Sequence, residues 1–121
     1  MEHFVRVSGW FDASHQVPTR ERCQRQHGHR WTVQVERLSG RDLDPTEVEE
    51  LATALRVVLD EWHDRDLNEM IHEFNETTPE RLAPWIMERL LGATQLVTEV
   101  EISDGIATAR ARRDVANSLI R

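Results

Sequence analysis

The first forty residues carry the two-residue repeat of β-strands. Between Phe4 and His15, apolar side chains at odd positions alternate with polar ones, which predicts a half-buried strand whose inward face ends at His15. After a turn-rich stretch over residues 16–26, the alternation returns from His29 to Val35. The inward positions of both strands are Val5, Val7, Phe11, Ala13, Trp31, Val33 and Val35.

The middle of the chain changes to a helical repeat. Apolar residues at steps of three and four predict an amphipathic helix that begins near Pro45. This stripe consists of Val48, Leu51, Leu55, Val58, Leu59 and Trp62. A second helix is predicted from Pro79, with Thr78 as its N-cap and Gly92 at its end, although Pro84 is unfavourable inside a helix.

Two further strands are predicted near the end of the chain. They cover residues 96–104 and 106–112, and a tight turn at Asp104 and Gly105 joins them. The order is therefore ββααββ. It predicts an α+β domain in which two helices cover one face of a four-stranded antiparallel sheet. The 121 residues suffice for one compact core, so we expect a single domain over residues 1–121.

Composition narrows the classes of partner. The formal net charge is -7, so no global field favours nucleic acid or an anionic membrane. No long apolar run marks a membrane span, and a single cysteine excludes an internal disulfide framework. We therefore expect a cytoplasmic protein without a nucleic-acid or membrane partner.

Three histidines form a candidate metal site. His27 and His29 are two residues apart, hence on one side of an extended chain, and the strand that ends at His15 can supply a third imidazole. Three nitrogen ligands leave a zinc ion one open position for substrate or water. The alternative is a set of unrelated surface or core histidines, and the spacing alone is compatible with both.

Cys23 lies four residues before His27. A loop could bring its thiol beside the metal, where positive charge favours the thiolate form needed to abstract a proton. The alternative is a buried, inert cysteine.

Four segments in the same order resemble one known family. Residues 11–15 (FDASH) resemble its first-strand signature, and residues 23–29 (CQRQHGH) match its CxxxHGH motif. Residues 63–68 (HDRDLN) resemble its DHxxLN motif, and residues 78–83 (TPERLA) resemble its PTxEnlA segment. The family is the 6-pyruvoyl-tetrahydropterin synthase / 6-carboxytetrahydropterin synthase group, and the resemblance covers almost the whole chain.

The resemblance implies a tunnelling fold (T-fold) and symmetric homo-oligomers, usually hexamers, with active sites between subunits. It implies Zn²⁺ held by His15, His27 and His29, and 7,8-dihydroneopterin triphosphate as substrate. The short interval between Cys23 and the HGH motif is closer to the carboxy branch, which releases acetaldehyde and triphosphate, leaves 6-carboxytetrahydropterin and serves queuosine biosynthesis. The alternatives are a 6-pyruvoyl-tetrahydropterin synthase, or a zinc- and pterin-binding relative without catalysis.

By the same resemblance, the Cys23 thiolate removes a proton from the substrate side chain and an Asp–His pair relays protons. In an ungapped alignment that pair falls on His63 and Asp64, so the two residue types are present in reversed order. Asp60 is the alternative aspartate if residues 62–64 form an inserted turn, which leaves His63 as the acid/base.

Two further residues correspond to substrate-binding positions of the family. Asp104 takes the place of a glutamate that anchors the pterin ring, and its side chain is one methylene shorter. Glu101 is a less favoured substitute. Thr78 aligns with a threonine beside the pterin, and a role as an ordinary helix N-cap is the alternative.

Overall fold

In the computed structural model, which describes residues 1–15, 27–71 and 77–114, one sheet carries helices on one of its faces. The elements are β1 (His3–His15), β2 (His27–Ser39), α1 (Pro45–Trp62), β3 (Arg65–Asp66), α2 (Leu67–Met70), α3 (Pro79–Leu91), β4 (Glu99–Ser103) and β5 (Thr108–Arg112). Their order across the sheet is β3-β1-β2-β4-β5. The predicted α+β class is confirmed.

The predicted strand count of four is wrong, because the described residues form a sheet of five strands. The additional strand, β3, has two residues and pairs in parallel with Ala13 and Ser14 of β1. Two residues are too few to show an alternation, so periodicity gives no signal for them. The four-residue helix α2 follows directly and was missed for the same reason. Both short elements lie between the two predicted helices.

β1 and β2 form an antiparallel pair of 13 residues each, with Val7 opposite Val35 and Phe11 opposite Trp31. Because directly paired residues lie on the same face, the odd positions of both strands point toward the helices. Phe11 and Trp31 are fully buried there, with their rings stacked 5.9 Å apart. The opposite surface carries no helix among the described residues, and we call it the helix-free face.

α1 begins at a complete capping box. Asp44 is the N-cap, its side chain accepts the backbone N–H of Glu47, and the Glu47 side chain accepts the backbone N–H of Asp44. The buried stripe is Leu51, Ala54, Leu55, Val58, Leu59 and Trp62, close to the predicted set. Gly9 of β1 lies under this stripe, since a Cβ there would meet Leu59 at 2.6 Å. The missing side chain therefore lets α1 approach the sheet.

α3 covers the other half of the sheet, against β4 and β5. It begins at Pro79 and ends before Gly92, as predicted. Trp62 of α1 lies 5.0 Å from Trp85 of α3 and 5.4 Å from Phe11, measured between ring centres. The fully buried Trp62 therefore joins both long helices to the sheet.

β4 is shorter than the predicted strand over residues 96–104. At Thr98 the side chain takes over part of the pairing. The Thr98 backbone N–H still donates to the Glu36 carbonyl, but the Leu38 backbone N–H donates to the Thr98 hydroxyl, which itself donates to the Glu36 carbonyl. The regular pairing with β2 thus runs only from Glu99 to Ser103. No helix in the described part of the chain is long and apolar enough to cross a membrane.

Candidate metal and active site

The predicted histidines lie where β1 ends and β2 begins. His15 pairs with His27, and Ala13 pairs with His29. These four positions share the face of the sheet that holds Phe11. The side chain of His27 lies outside the described residues, as does all of Cys23. Their assigned roles therefore stay predictions.

Three side chains from neighbouring strands meet at this end of the sheet. His15 ends β1, His29 lies in β2, and Asp104 directly follows β4. One donor atom of each lies within 4.8 Å of the donor atoms of the other two. His15 is fully buried, and Asp104 is 2% exposed. We call these residues the His–His–Asp cluster; it brings two predicted zinc ligands together with the predicted pterin anchor.

Main-chain bonding sets the tautomer of His15. Its Nδ1 lies 2.7 Å from the carbonyl oxygen of Thr77. A carbonyl can only accept, so Nδ1 carries the hydrogen and Nε2 is the electron-pair donor of the ring. The Thr77 hydroxyl in turn donates to the side-chain oxygen of Asn68 at 3.2 Å. Such a bonded second ring nitrogen is typical of metal-binding histidines.

The turn after β4 fixes the carboxylate of Asp104. Its Oδ1 accepts the backbone N–H groups of Ile106 and Ala107, each at 2.9 Å. Gly105 has a φ of 88°, a conformation that favours glycine. The predicted turn at Asp104 and Gly105 is confirmed, and its backbone N–H groups hold the carboxylate in place.

The donor set of the cluster fits a transition-metal ion. Imidazole nitrogens and a carboxylate oxygen are ligands for Zn²⁺, and they also suit Fe²⁺ or Co²⁺. The residues present are therefore compatible with the predicted metal.

His63 and Asp64 follow the end of α1 and are held by the backbone of β1. The Asp12 N–H donates to Nδ1 of His63 at 3.1 Å, and the Asp64 N–H donates to the Asp12 carbonyl at 2.7 Å. Nδ1 of His63 is thus an acceptor, which places the hydrogen of the neutral ring on Nε2. That nitrogen lies 3.6 Å from an oxygen of Asp64. The two residues form a pair despite their reversed order.

The side chains of His63 and Asp64 lie in different surroundings. Asp64 lines an open groove of about 440 Å³ together with His29 and with Asp12, Ser14, Gly28 and Arg30, which belong to the helix-free face. The imidazole of His63 instead packs against Trp10, with ring centres 5.6 Å apart. Trp10 is an even-numbered residue of β1, half exposed. Asp64, which aligns with the family's histidine, is therefore the member of the pair that shares a groove with a predicted metal ligand.

The alternative residues lie elsewhere. α1 continues to Trp62 without an inserted turn, and Asp60 is an exposed residue of its last turn. Glu101 pairs with Gln34 and Arg110 on the helix-free face, opposite to the His–His–Asp cluster. Thr78 is half-buried at the N-cap of α3 but makes no side-chain capping bond. Its predicted capping position is confirmed, whereas its hydroxyl does not cap the helix.

Trp10, Asp12 and Arg30 form a further cluster that the sequence analysis missed. Arg30 donates from Nε and Nη2 to the two oxygens of Asp12, at 3.0 and 3.2 Å, and its guanidinium carbon lies 3.9 Å above the Trp10 ring. The hydrogen bonds from Arg30 hold the pKa of Asp12 below its usual value. The alternation of both strands already places residues 12 and 30 on one face of the sheet. That they lie opposite each other is known only from the register.

Comparison with known proteins agrees with this fold. Residues 4–111 match the model of a family described as 6-pyruvoyl tetrahydropterin synthase. The structure is similar to 6-pyruvoyl tetrahydropterin synthase from Caenorhabditis elegans, with a TM-score of 0.77 and 17% identity over 94% of this chain and 97% of that chain. A comparison with curated protein sequences gives no match.

Two other solved structures are similar. The 6-pyruvoyl tetrahydropterin synthase from Plasmodium vivax has a TM-score of 0.72 and 13% identity, over 95% of this chain and 99% of that chain. An uncharacterized protein from Wolinella succinogenes has a TM-score of 0.65 and 17% identity, over 94% and 99%. Likeness at such low identity shows the fold, and the predicted tunnelling fold is confirmed.

Proposed function

Because this chain belongs to the 6-pyruvoyl tetrahydropterin synthase family, whose enzymes are lyases that act on pterins, we propose that it is a zinc-dependent 6-carboxytetrahydropterin synthase. It would convert 7,8-dihydroneopterin triphosphate to 6-carboxytetrahydropterin, acetaldehyde and triphosphate, for queuosine or another 7-deazaguanine product. The observation that carries the proposal is the meeting of His15, His29 and Asp104 at one end of the sheet, with donor atoms within 4.8 Å. The position of Cys23, four residues before His27, favours the carboxy branch.

The proposal assigns the metal to His15, His27 and His29. A zinc ion held there would act as a Lewis acid that polarises oxygen atoms of the substrate side chain. In support, the Thr77 carbonyl holds His15 in the tautomer whose Nε2 donates an electron pair.

The proton transfers are assigned to Cys23, His63 and Asp64. The Cys23 thiolate takes a proton from the substrate side chain, and the His63–Asp64 pair moves protons between the groove and solvent. Two observations support the second assignment: Asp64 lines the groove, and Nε2 of His63, which carries the hydrogen of the neutral ring, lies 3.6 Å from the Asp64 carboxylate.

Recognition of the pterin ring is assigned to Thr78 and Asp104. The hydroxyl of Thr78 makes no capping bond, which is compatible with a contact to substrate. Asp104 also lies beside His15 and His29, a position that favours contact with a metal ion over contact with the pterin ring.

The proposal is tested by incubating zinc-loaded protein with 7,8-dihydroneopterin triphosphate and identifying the pterin and volatile products by chromatography and mass spectrometry. 6-Carboxytetrahydropterin with acetaldehyde is the expected result. Release of triphosphate with a 6-pyruvoyl product would instead identify a 6-pyruvoyl-tetrahydropterin synthase.

A second candidate is a zinc- and pterin-binding relative without catalysis. The observation that favours it is the position of His63, whose Nδ1 is bonded to the Asp12 backbone and whose ring packs on Trp10 rather than toward the groove. Tight binding of the substrate without turnover, with zinc present, would decide for this candidate.

The proposal includes a cytoplasmic homo-oligomer, a hexamer with active sites between subunits. In support, only Ala13 and Ser14 along the outer edge of β1 pair with another strand within the described ranges. An unpaired strand edge is a surface on which another chain can add. Light scattering should give a multiple of the 14.1 kDa chain mass; a monomer would contradict this part of the proposal.

A further inference from the structure

The carboxylate of Asp104 is buried beside two imidazoles, although the family resemblance assigns it to the pterin ring. Its donor atom lies within 4.8 Å of those of His15 and His29, and the residue is 2% exposed. A ligand atom about 2 Å from a zinc ion lies about 3–4 Å from the other ligand atoms. Small side-chain adjustments therefore suffice to place all three donors around one ion.

The topology of the sheet explains how the three donors meet. β2 lies between β1 and β4, so the ends of these strands present His15, His29 and Asp104 side by side. In β4, Val100 and Ile102 are buried on the helix side, and Asp104 continues the same alternation. Its side chain therefore belongs to the face that carries the histidines.

The turn after β4 restricts what the carboxylate can do. Oδ1 accepts two backbone N–H groups, from Ile106 and Ala107, and a carboxylate oxygen has about two lone-pair directions. Further ligation therefore falls to Oδ2. A single oxygen suits monodentate ligation of a metal ion, whereas anchoring the paired N–H donors of a pterin edge needs both oxygens.

From these contacts we infer that Asp104 is a ligand of the metal, added by β4 to the histidines of β1 and β2. The inference rests on the metal centre of the proposed function and goes beyond it, because the zinc ligands there are histidines alone. It replaces the assignment of Asp104 to the pterin ring, which leaves Thr78 as the residue assigned to that ring. The carboxylate adds a negative charge to the donor set, and Asp104 then faces the ion rather than the pterin ring.

The test compares Asp104→Asn with Glu101→Gln. Each change replaces a carboxylate in or directly after β4 by an amide. The two side chains differ in position, because Glu101 lies on the helix-free face. Asparagine keeps an Oδ1 that can accept from Ile106 and Ala107, so the turn should persist. Zinc affinity of the metal-free proteins is measured by competition with a chromophoric chelator. We expect Asp104→Asn to weaken zinc binding at least about tenfold and Glu101→Gln to leave it unchanged.

Cobalt spectra distinguish a ligand from a residue that only orients a histidine. In Co²⁺-loaded protein, loss of a ligand changes the d–d bands, so Asp104→Asn should differ from wild type. A change in zinc affinity below about threefold, or unchanged d–d bands, would overturn the inference. If Asp104→Asn does not fold, Asp104→Cys in a Cys23→Ala background replaces it. A near-ultraviolet thiolate-to-cobalt band then supports ligation, and its absence from the folded, cobalt-loaded protein contradicts it.

Failure of the inference can be separated from failure of the proposed function. If wild-type protein binds no zinc, the proposed metal centre is wrong and Asp104 has no ion to bind. If wild-type protein binds zinc and forms the product while Asp104→Asn keeps both its zinc affinity and its cobalt spectrum, only the ligand role of Asp104 is wrong.

Discussion

At the scale of single residues, main-chain groups set the hydrogen positions of two histidines in opposite ways. The Thr77 carbonyl accepts from Nδ1 of His15, whereas Nδ1 of His63 accepts from the Asp12 N–H. His15 therefore presents Nε2 as an electron-pair donor, and neutral His63 presents Nε2–H. The first arrangement suits metal ligation, and the second suits proton donation.

Cys23 and His27 should separate catalysis from metal binding. We expect Cys23→Ala to keep zinc and fold while turnover falls by about 100-fold or more, because the base is lost. His27→Ala should lose zinc and turnover together. Zinc content and product formation are measured on both variants. Full activity in Cys23→Ala would exclude the thiolate mechanism.

The His63–Asp64 pair predicts a second set of variants. His63→Gln and Asp64→Asn should each lower turnover by about 100-fold while zinc content stays constant, because a proton relay is removed and no ligand is lost. Asp60→Asn is the matched control, since Asp60 is exposed on α1 and the salt bridge of His63 is with Asp64. Equal losses in Asp60→Asn and Asp64→Asn would contradict the pairing, and steady-state rates decide.

At the scale of elements, the start of α1 depends on a charged capping box. The Arg41 side chain donates to both oxygens of Glu47 at 2.7 Å, and the Asp44 N–H adds a third bond at 3.2 Å. Together these bonds, the one from Arg41 first, lower the pKa of Glu47 from its ordinary value of 4.5 to about 2. The first turn of α1 is therefore sensitive to acid.

This shift predicts a pH-dependent effect of Glu47→Gln. Because the pKa is lower in the folded protein than in the unfolded chain, ionised Glu47 stabilises the fold above pH 4.5, and this contribution is lost as the pH falls toward about 2. We expect Glu47→Gln to melt below wild type at pH 7, with a gap that narrows between these values. Glu49→Gln, an exposed change on the same helix, is the control. A gap independent of pH would contradict the ionic cause.

The length of an element decided whether the sequence could predict it. β1, β2, α1 and α3 each have at least 13 residues, long enough to show a repeat, and their positions were predicted closely. β3 has two residues and forms because Arg65 and Asp66 lie beside Ala13 and Ser14, a contact that no local pattern encodes. The boundary of β4 depends on the Thr98 hydroxyl, a further tertiary effect.

At the scale of the whole molecule, the metal would join three strands that are distant in the sequence. The meeting of His15 with His29 was predicted from the sequence, but the position of Asp104 beside them was not. It depends on β2 lying between β1 and β4, and strand order is not visible in local periodicity. The face of Glu101, opposite to the cluster, follows from the alternation with Val100 and Ile102, whereas its partner Gln34 is known only from the register.

Removal of the metal should therefore destabilise the whole fold. An ion at 100 times its Kd contributes about 2.7 kcal/mol, which for a chain of this length is roughly 10 °C in Tm. We expect a chelator to lower the Tm of zinc-loaded wild-type protein by about this amount. It should have little effect on His15→Ala, measured by calorimetry on both proteins. Equal shifts in the two proteins would contradict a metal centre at His15.

The strict pairing of β1 with β2 has a practical consequence for quality control of preparations. A slip of one residue would turn every side chain of the slipped strand to the opposite face, so that Ala13 would no longer share a face with its present partner His29. A misregistered molecule would then lack the assembled ligand set while keeping much of its strand content. The amount of metal bound per chain would therefore measure the fraction of molecules with the correct register in a refolded sample. Circular dichroism alone would not distinguish these molecules from misregistered ones.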